Sequence, residues 1–104
     1  MIPKSIKIFN QTIKIVFKRT LLDGKEPCFG TWHYKRNTIY LQKSTRKHTL
    51  TEEQIESTFI HELLHACLDL MGEHELNDNE KFVSSLSHLI YQFIKQLSEK
   101  KNIQ

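Results

Sequence analysis

The hydrophobic period changes midway along the chain, and no other feature narrows the fold as much. Up to Gln42 the apolar residues alternate with polar ones, as on half-buried strands. Ser5 to Phe9 carries Ile6 and Ile8, and Thr12 to Lys18 carries Ile13, Ile15 and Phe17. Asn10-Gln11 and Asp23-Gly24 are turn signals between these runs. Cys28 to Tyr34 and Thr38 to Gln42 are rich in aromatic and β-branched residues, and are expected to pair as a hairpin around Lys35-Arg36-Asn37. Lys43 to His48 is polar and basic and reads as a connection. From Leu50 onward the apolar residues recur at helical spacing. Strands first and helices afterwards predict an α+β fold: a short N-terminal sheet, then two helices.

The helix boundaries are marked in the residues. Thr51 is expected to cap the first helix, with Gln54 three residues later completing a capping box. Glu52 and Glu53 suit the positive end of the helix dipole. Gly72 is the expected stop after Met71. Asn77 followed by Glu80 predicts a second capped start. Its helix carries Phe82, Val83, Leu86, Leu89, Ile90, Phe93, Ile94 and Leu97 along one face and is expected to fade into a polar tail from Ser98 to Gln104.

Length and composition bound the rest. At 104 residues the chain suits a single domain, 1–104, large enough to bury a core without disulfides. No apolar run approaches the roughly 18 residues of a membrane span, and the N-terminus lacks a signal-peptide core, so a cytoplasmic protein is expected. Two cysteines, Cys28 and Cys67, fit a reducing compartment better than a disulfide framework. The net charge of +3 is mild and the basic residues look dispersed along the chain. Arg36, Lys43, Arg46 and Lys47 read as a solvated loop, which does not point to nucleic acid as a partner.

The six histidines are many for this length, and two of them carry chemistry. Residues 61 to 65 read His-Glu-Leu-Leu-His, an H-E-x-x-H inside the capped helix. Positions i and i+4 share a helical face, so His61 and His65 can direct ring nitrogens at one metal ion. Imidazole is a good zinc ligand. Glu62 is rotated away from the pair, where it can hold a water and take its proton as general base. The surrounding helix is broadly apolar, and its narrow polar sector holds the two histidines with Thr58 and Asp69. A catalytic site of this kind needs a third protein ligand. Glu80 is favoured, because it lies at the edge of the second helix's apolar face and can project towards the first helix. His74 is the main rival. Asp69, one turn beyond His65, suits a hydrogen bond to a ligand imidazole better than coordination. His88 falls nearly opposite the apolar face and is expected to be solvated.

On the stretches Thr58-Phe59-Ile60-His61-Glu62-Leu63-Leu64-His65-Ala66 and Asn77-Asp78-Asn79-Glu80-Lys81-Phe82-Val83, the chain resembles the zincin metallopeptidases. More narrowly it resembles the small phage- and prophage-encoded zincins related to the ImmA/IrrE group. The resemblance implies a zincin-like minimal fold with one Zn2+ per chain, held by His61, His65 and Glu80, and with Glu62 as catalytic base. It implies hydrolysis of peptide bonds in a protein substrate, often one regulatory protein. Leu68 and Met71 stand where the metzincin subclass needs Gly and His, so that subclass is excluded. In zincins the substrate pairs with a sheet edge beside the active helix; Thr38 to Gln42 is the expected edge. His33, Tyr34, Tyr40 and His48 are candidate donors to the oxyanion of the transition state. The alternative is an accessory protein without catalytic activity, whose zinc only braces the fold. Such a site would be closed by a fourth ligand, His74 beside Glu80.

Overall fold

The computed structural model describes residues 2–19, 22–23, 26–27, 29–44 and 49–103. The alternating first half forms β1 (Ser5–Ile8), β2 (Gln11–Lys18), β3 (Leu22–Asp23), β4 (Glu26–Pro27), β5 (Gly30–His33) and β6 (Thr38–Gln42). The helical half forms α1 (Glu52–Met71), a short α2 (His74–Asp78) and α3 (Glu80–Ile103). The class is α+β, as the change of period implies. No described helix is long and apolar enough to cross a membrane.

The main sheet has the order β1-β2-β6-β5. β1 and β2 form an antiparallel hairpin whose turn sits on Phe9-Asn10, one residue before the expected Asn10-Gln11, with Phe9 at a positive φ of 55°. β2 and β6 run parallel, with Ile15 beside Ile39, and β5 closes the far side antiparallel to β6. The β5–β6 hairpin turns where Lys35-Arg36-Asn37 predicts, through a 3-10 turn over Tyr34–Arg36 and Asn37 in the left-handed region. β3 and β4 pair separately, and the Asp23-Gly24 turn lies partly outside the described residues.

The sheet corrects one expectation. Thr38 to Gln42 is an interior strand, bonded to β2 on one side and β5 on the other, and all five of its residues are buried. The parallel β2–β6 pairing could not be read from local pattern, because it joins segments separated by β5. The edge strand on that side is β5.

Cross-strand partners share a face of the sheet. The inner face carries Ile13, Ile15, Ile39 and Leu41, which pack with Phe59 of α1 into the buried core, and Trp32 and Leu63 lie against that core. The outer face carries Lys14, Lys18, Thr38 and Tyr40.

α1 begins on the complete capping box. Gln54 N–H donates to Thr51 Oγ1 at 3.1 Å, and Thr51 N–H donates to Gln54 Oε1 at 2.8 Å. It ends at Gly72, whose φ of 78° suits glycine. The Gly72 and Glu73 N–H groups donate back to Asp69 and Leu68 carbonyls at 3.0 and 2.9 Å, a Schellman reversal. The second long helix starts two residues later than Asn77 suggests. Asn79 is its cap, accepting from Phe82 N–H at 3.1 Å, so Glu80 is the first helical residue rather than the third. The helix also continues to Ile103 instead of fading at Ser98.

α3 packs on α1 through the fully buried Val83 and through the Tyr91 hydroxyl, which donates to the buried Glu56 carboxylate at 2.9 Å. Burial, the Glu56 hydrogen bond and the nearby Glu56, Glu53 and Glu52 charges push the Tyr91 phenol up to about 12. An unfolded tyrosine ionises near 10. Between about pH 10 and 12 the folded chain therefore keeps a proton that the unfolded chain has lost, and stability falls as pH rises. Tyr91→Phe is expected to flatten that alkaline fall. Urea unfolding at stepped pH measures it, and a slope equal to the parent's would refute the assignment.

Candidate metal centre

Three side chains converge where α1 meets the start of α3. One ligand atom each from His61, His65 and Glu80 lie within 4.8 Å of one another. His65 Nε2 stands 2.9 Å from Glu80 Oε1, and His61 Nε2 stands 3.5 Å from Glu80 Oε2. With ligand bonds of about 2.0–2.1 Å, tetrahedral donors around zinc lie about 3.3 Å apart. The spacing here is therefore that of a group able to hold a metal ion.

The local folding explains how Glu80 arrives. The histidines sit one turn apart on α1. After Gly72 the chain turns back, α2 carries it past the end of α1, and the Asn79 cap sets Glu80 at the first position of α3. Glu80 itself is exposed, whereas the two histidines are half-buried.

Hydrogen bonds fix which ring nitrogens face the cluster. His65 Nδ1 lies 2.6 Å from Asn77 Oδ1, an oxygen that only accepts, so the proton is on Nδ1. Ser87 Oγ donates to the Ser84 carbonyl at 3.2 Å and lies 3.4 Å from His61 Nδ1. Both Nε2 atoms face the Glu80 carboxylate. His61 also titrates below the ordinary histidine range, because burial disfavours its charged form and His65 repels a second cation, against the opposing pull of Glu80. Two imidazole nitrogens and a carboxylate at this spacing could hold a metal ion.

The rival ligands are placed elsewhere. His74 Nδ1 stands 3.6 Å from Asp69 Oδ1, away from the cluster. Asp69 is not the hydrogen-bond partner of a ligand imidazole; its Oδ2 accepts from Trp32 Nε1 at 2.8 Å and ties β5 to α1. The supporting role falls to Asn77 and Ser87. Asn77 is conspicuous in sequence only as a cap, and Ser87 only as a small polar residue on the α3 face.

Of the candidate oxyanion donors, the three that are described stand away from the centre. Tyr40 lies on the outer sheet face with its hydroxyl on Arg36, and the His33 ring stands edge-on to it at 5.4 Å. Tyr34 is exposed in the turn after β5, and His48 lies outside the described residues. Strand alternation accounts for the Tyr40 placement, because its neighbours Ile39 and Leu41 take the inner face. Cys67 is half-buried on α1 with its thiol pushed up by burial, consistent with a packing role, and Cys28 is outside the described residues.

A groove runs along α1 between the β5 edge and α3. One recess of about 340 Å³ is lined by Gly30, Thr31, His61, Glu62, His65 and Glu80. A second, of about 320 Å³, continues past Glu62 towards Phe29, Thr58 and Ser84. His88 is exposed, as its helical position implies, but it lines this second recess. Glu62 thus stands on both recesses beside the cluster without belonging to it.

Gly30 makes this closeness possible. A Cβ at Gly30 would lie 2.6 Å from Thr58 Cγ2 and 3.2 Å from both Glu62 Cγ and Leu41 Cδ2. Only a glycine lets β5 lie against the motif turn of α1. In sequence it is one of three glycines, with nothing to separate it from a turn residue.

No family model matches the chain, and no curated protein or solved structure matches it either.

Gly30→Ala is expected to lower stability by about 1–3 kcal/mol through overpacking at Thr58. It is also expected to displace β5 from α1, which would be read as faster amide exchange in Thr31 and Trp32. Parent-like stability and exchange would show that the close approach is not required.

Proposed function

We propose that the chain is a zinc-dependent endopeptidase of the zincin type, with His61, His65 and Glu80 as ligands and Glu62 as general base. The observation that carries this reading is the convergence of two imidazole Nε2 atoms and one carboxylate within 4.8 Å, with Glu62 on the adjoining groove wall. Two imidazoles and a carboxylate suit zinc and leave a coordination position for water or substrate. Zinc bound there would supply Lewis acidity, polarising a peptide carbonyl and easing deprotonation of an attacking water. Glu62 takes that proton and delivers it to the leaving amine. The edge of β5 offers backbone N–H and C=O groups to an extended substrate, and the two recesses accommodate residues on either side of the scissile bond. Asn77 Oδ1 accepts from His65 Nδ1 and Ser87 Oγ stands beside His61 Nδ1, contacts that would leave both Nε2 atoms to a bound metal. A kinship with small phage and prophage zincins, a regulatory protein as substrate and a cytoplasmic setting belong to the same proposal.

The accessory-protein alternative calls for a closed, four-ligand site. His74 is drawn to Asp69, and among the described residues the cluster has three members, which favours the open arrangement.

Elemental analysis after zinc loading and dialysis is expected to give about one zinc per chain. Glu80→Ala should weaken zinc binding, and Asn77→Ala should weaken it about 10–100-fold; a chain that binds no transition metal would sink the site. Glu62→Gln should keep the zinc and lose at least about a hundredfold in cleavage of a peptide library. Full activity in that variant would remove Glu62 from the mechanism.

A further inference from the structure

The net charge of +3 conceals a separation between the two halves of the chain. Eleven of the 15 basic residues and only Asp23 and Glu26 of the 12 acidic residues precede Glu52, so the strand half carries +9 and the helical half −6. The fold turns this linear bias into a surface. Strand alternation puts Lys14 and Lys18 on the outer sheet face, opposite the face that packs on α1. Lys7 joins them, because its cross-strand partner Thr12 alternates with Ile13 and Ile15 of the core. Lys7 and Lys14 are diagonal neighbours about 7–8 Å apart at the backbone. Lys14 and Lys18 are about 14 Å apart along β2.

At the end of this row two cations meet on one ring. Lys18 Nζ lies 4.4 Å from the centre of the Tyr40 ring, and Arg36 donates to the Tyr40 hydroxyl at 3.3 Å. The Arg36 hydrogen bond, helped by the charges of Arg36 and Lys18, holds the Tyr40 phenol below its usual range, although burial opposes it. Among the described residues the cations in ion pairs are His61, His65, His74 and Lys95, and none is on this face. Among the described residues, Lys7, Lys14, Lys18 and Arg36 therefore share one face with no ion-pair partner. A bound anion would be drawn to their summed field.

We infer that the outer sheet face binds the phosphate backbone of single-stranded nucleic acid through Lys7, Lys14, Lys18 and Arg36. A row of cations across a strand pair matches a polymer with charges at short regular intervals. The exposed rings of His33 and Tyr34 stand at the Arg36 end, where bases can stack, a feature an acidic peptide would not use. This surface is separate from the groove beside α1, because it lies on the other side of the sheet from the residues that pack on that helix.

The test is fluorescence anisotropy of a labelled 20-nucleotide single strand titrated with the full chain in low salt. Saturable binding is expected, with a log–log salt slope of about −2 to −3 for four cations on a single strand. Lys7→Glu with Lys14→Glu is expected to weaken it at least tenfold. Lys81→Glu with Lys95→Glu, on the helical half, should change it less than twofold. Circular dichroism checks that each variant is folded, and the milder Arg36→Gln gives a second reading if the double reversal unfolds. Absence of saturable binding, equal loss in the helical control, or tighter binding of poly-glutamate of the same length would each overturn the inference.

Discussion

The fold depends on the burial of one face of α1 against the inner face of the sheet. Ile13, Ile15, Ile39 and Leu41 present a continuous apolar surface, and Phe59 closes on it. Once that face is committed, the polar sector of α1 that carries His61, His65 and Asp69 must find partners at its borders. The β5 side takes Asp69 through the Trp32 indole. The α3 side takes His61 through Ser87. Gly30 allows the β5 edge to approach until only a hydrogen fits beside Thr58. The groove is therefore a consequence of packing: it is the seam left where a helix touches a strand on one side and a helix on the other.

The second determinant is the chain reversal after Gly72. A helix that continued would carry Glu80 far from His65. The Schellman bonds at Gly72 and Glu73 instead turn the chain, and two short segments deliver Asn77 to His65 Nδ1 and Glu80 to both Nε2 atoms. The same eight residues thus supply both the carboxylate of the cluster and the amide beside His65 Nδ1. An imidazole with its proton held at Nδ1 has one lone pair left, and its direction is then fixed by the helix. Burial also pulls His61 towards its neutral form, the form in which an imidazole can ligate a metal.

Much of this was legible in the residues, and the misses have physical causes. The capping box at Thr51 and Gln54 and the stop at Gly72 are local signals, and they act locally. The start of α3 is mistaken by two residues because Asn77 and Asn79 are equally good caps; only the position of His65 decides that Asn77 is used by the metal centre instead. Asp69 and His74 were plausible near the ligands by spacing alone, but Trp32, which comes from a distant strand, draws Asp69 away, and Asp69 in turn draws His74. The interior position of Thr38 to Gln42 is likewise a long-range fact, since a strand's neighbours are chosen by pairing across the whole sheet. The basic residues look scattered in a linear reading because those on alternate positions of different strands meet only when the sheet forms.

By itself the sequence determined the α+β class, the two periodic halves, the capped helix and the i, i+4 histidines with a glutamate between them. Each of these depends on residues within a few positions of one another, whose geometry the backbone enforces wherever the segment lies. Only the tertiary structure decided that Glu80 rather than His74 meets the histidines, that Asn77 and Ser87 orient them, that β5 is the strand beside the groove, and that lysines from β1 and β2 share a face with Arg36. Those outcomes depend on which distant segments pack together, and packing is a competition among all the apolar and polar surfaces of the chain at once, which no local pattern encodes.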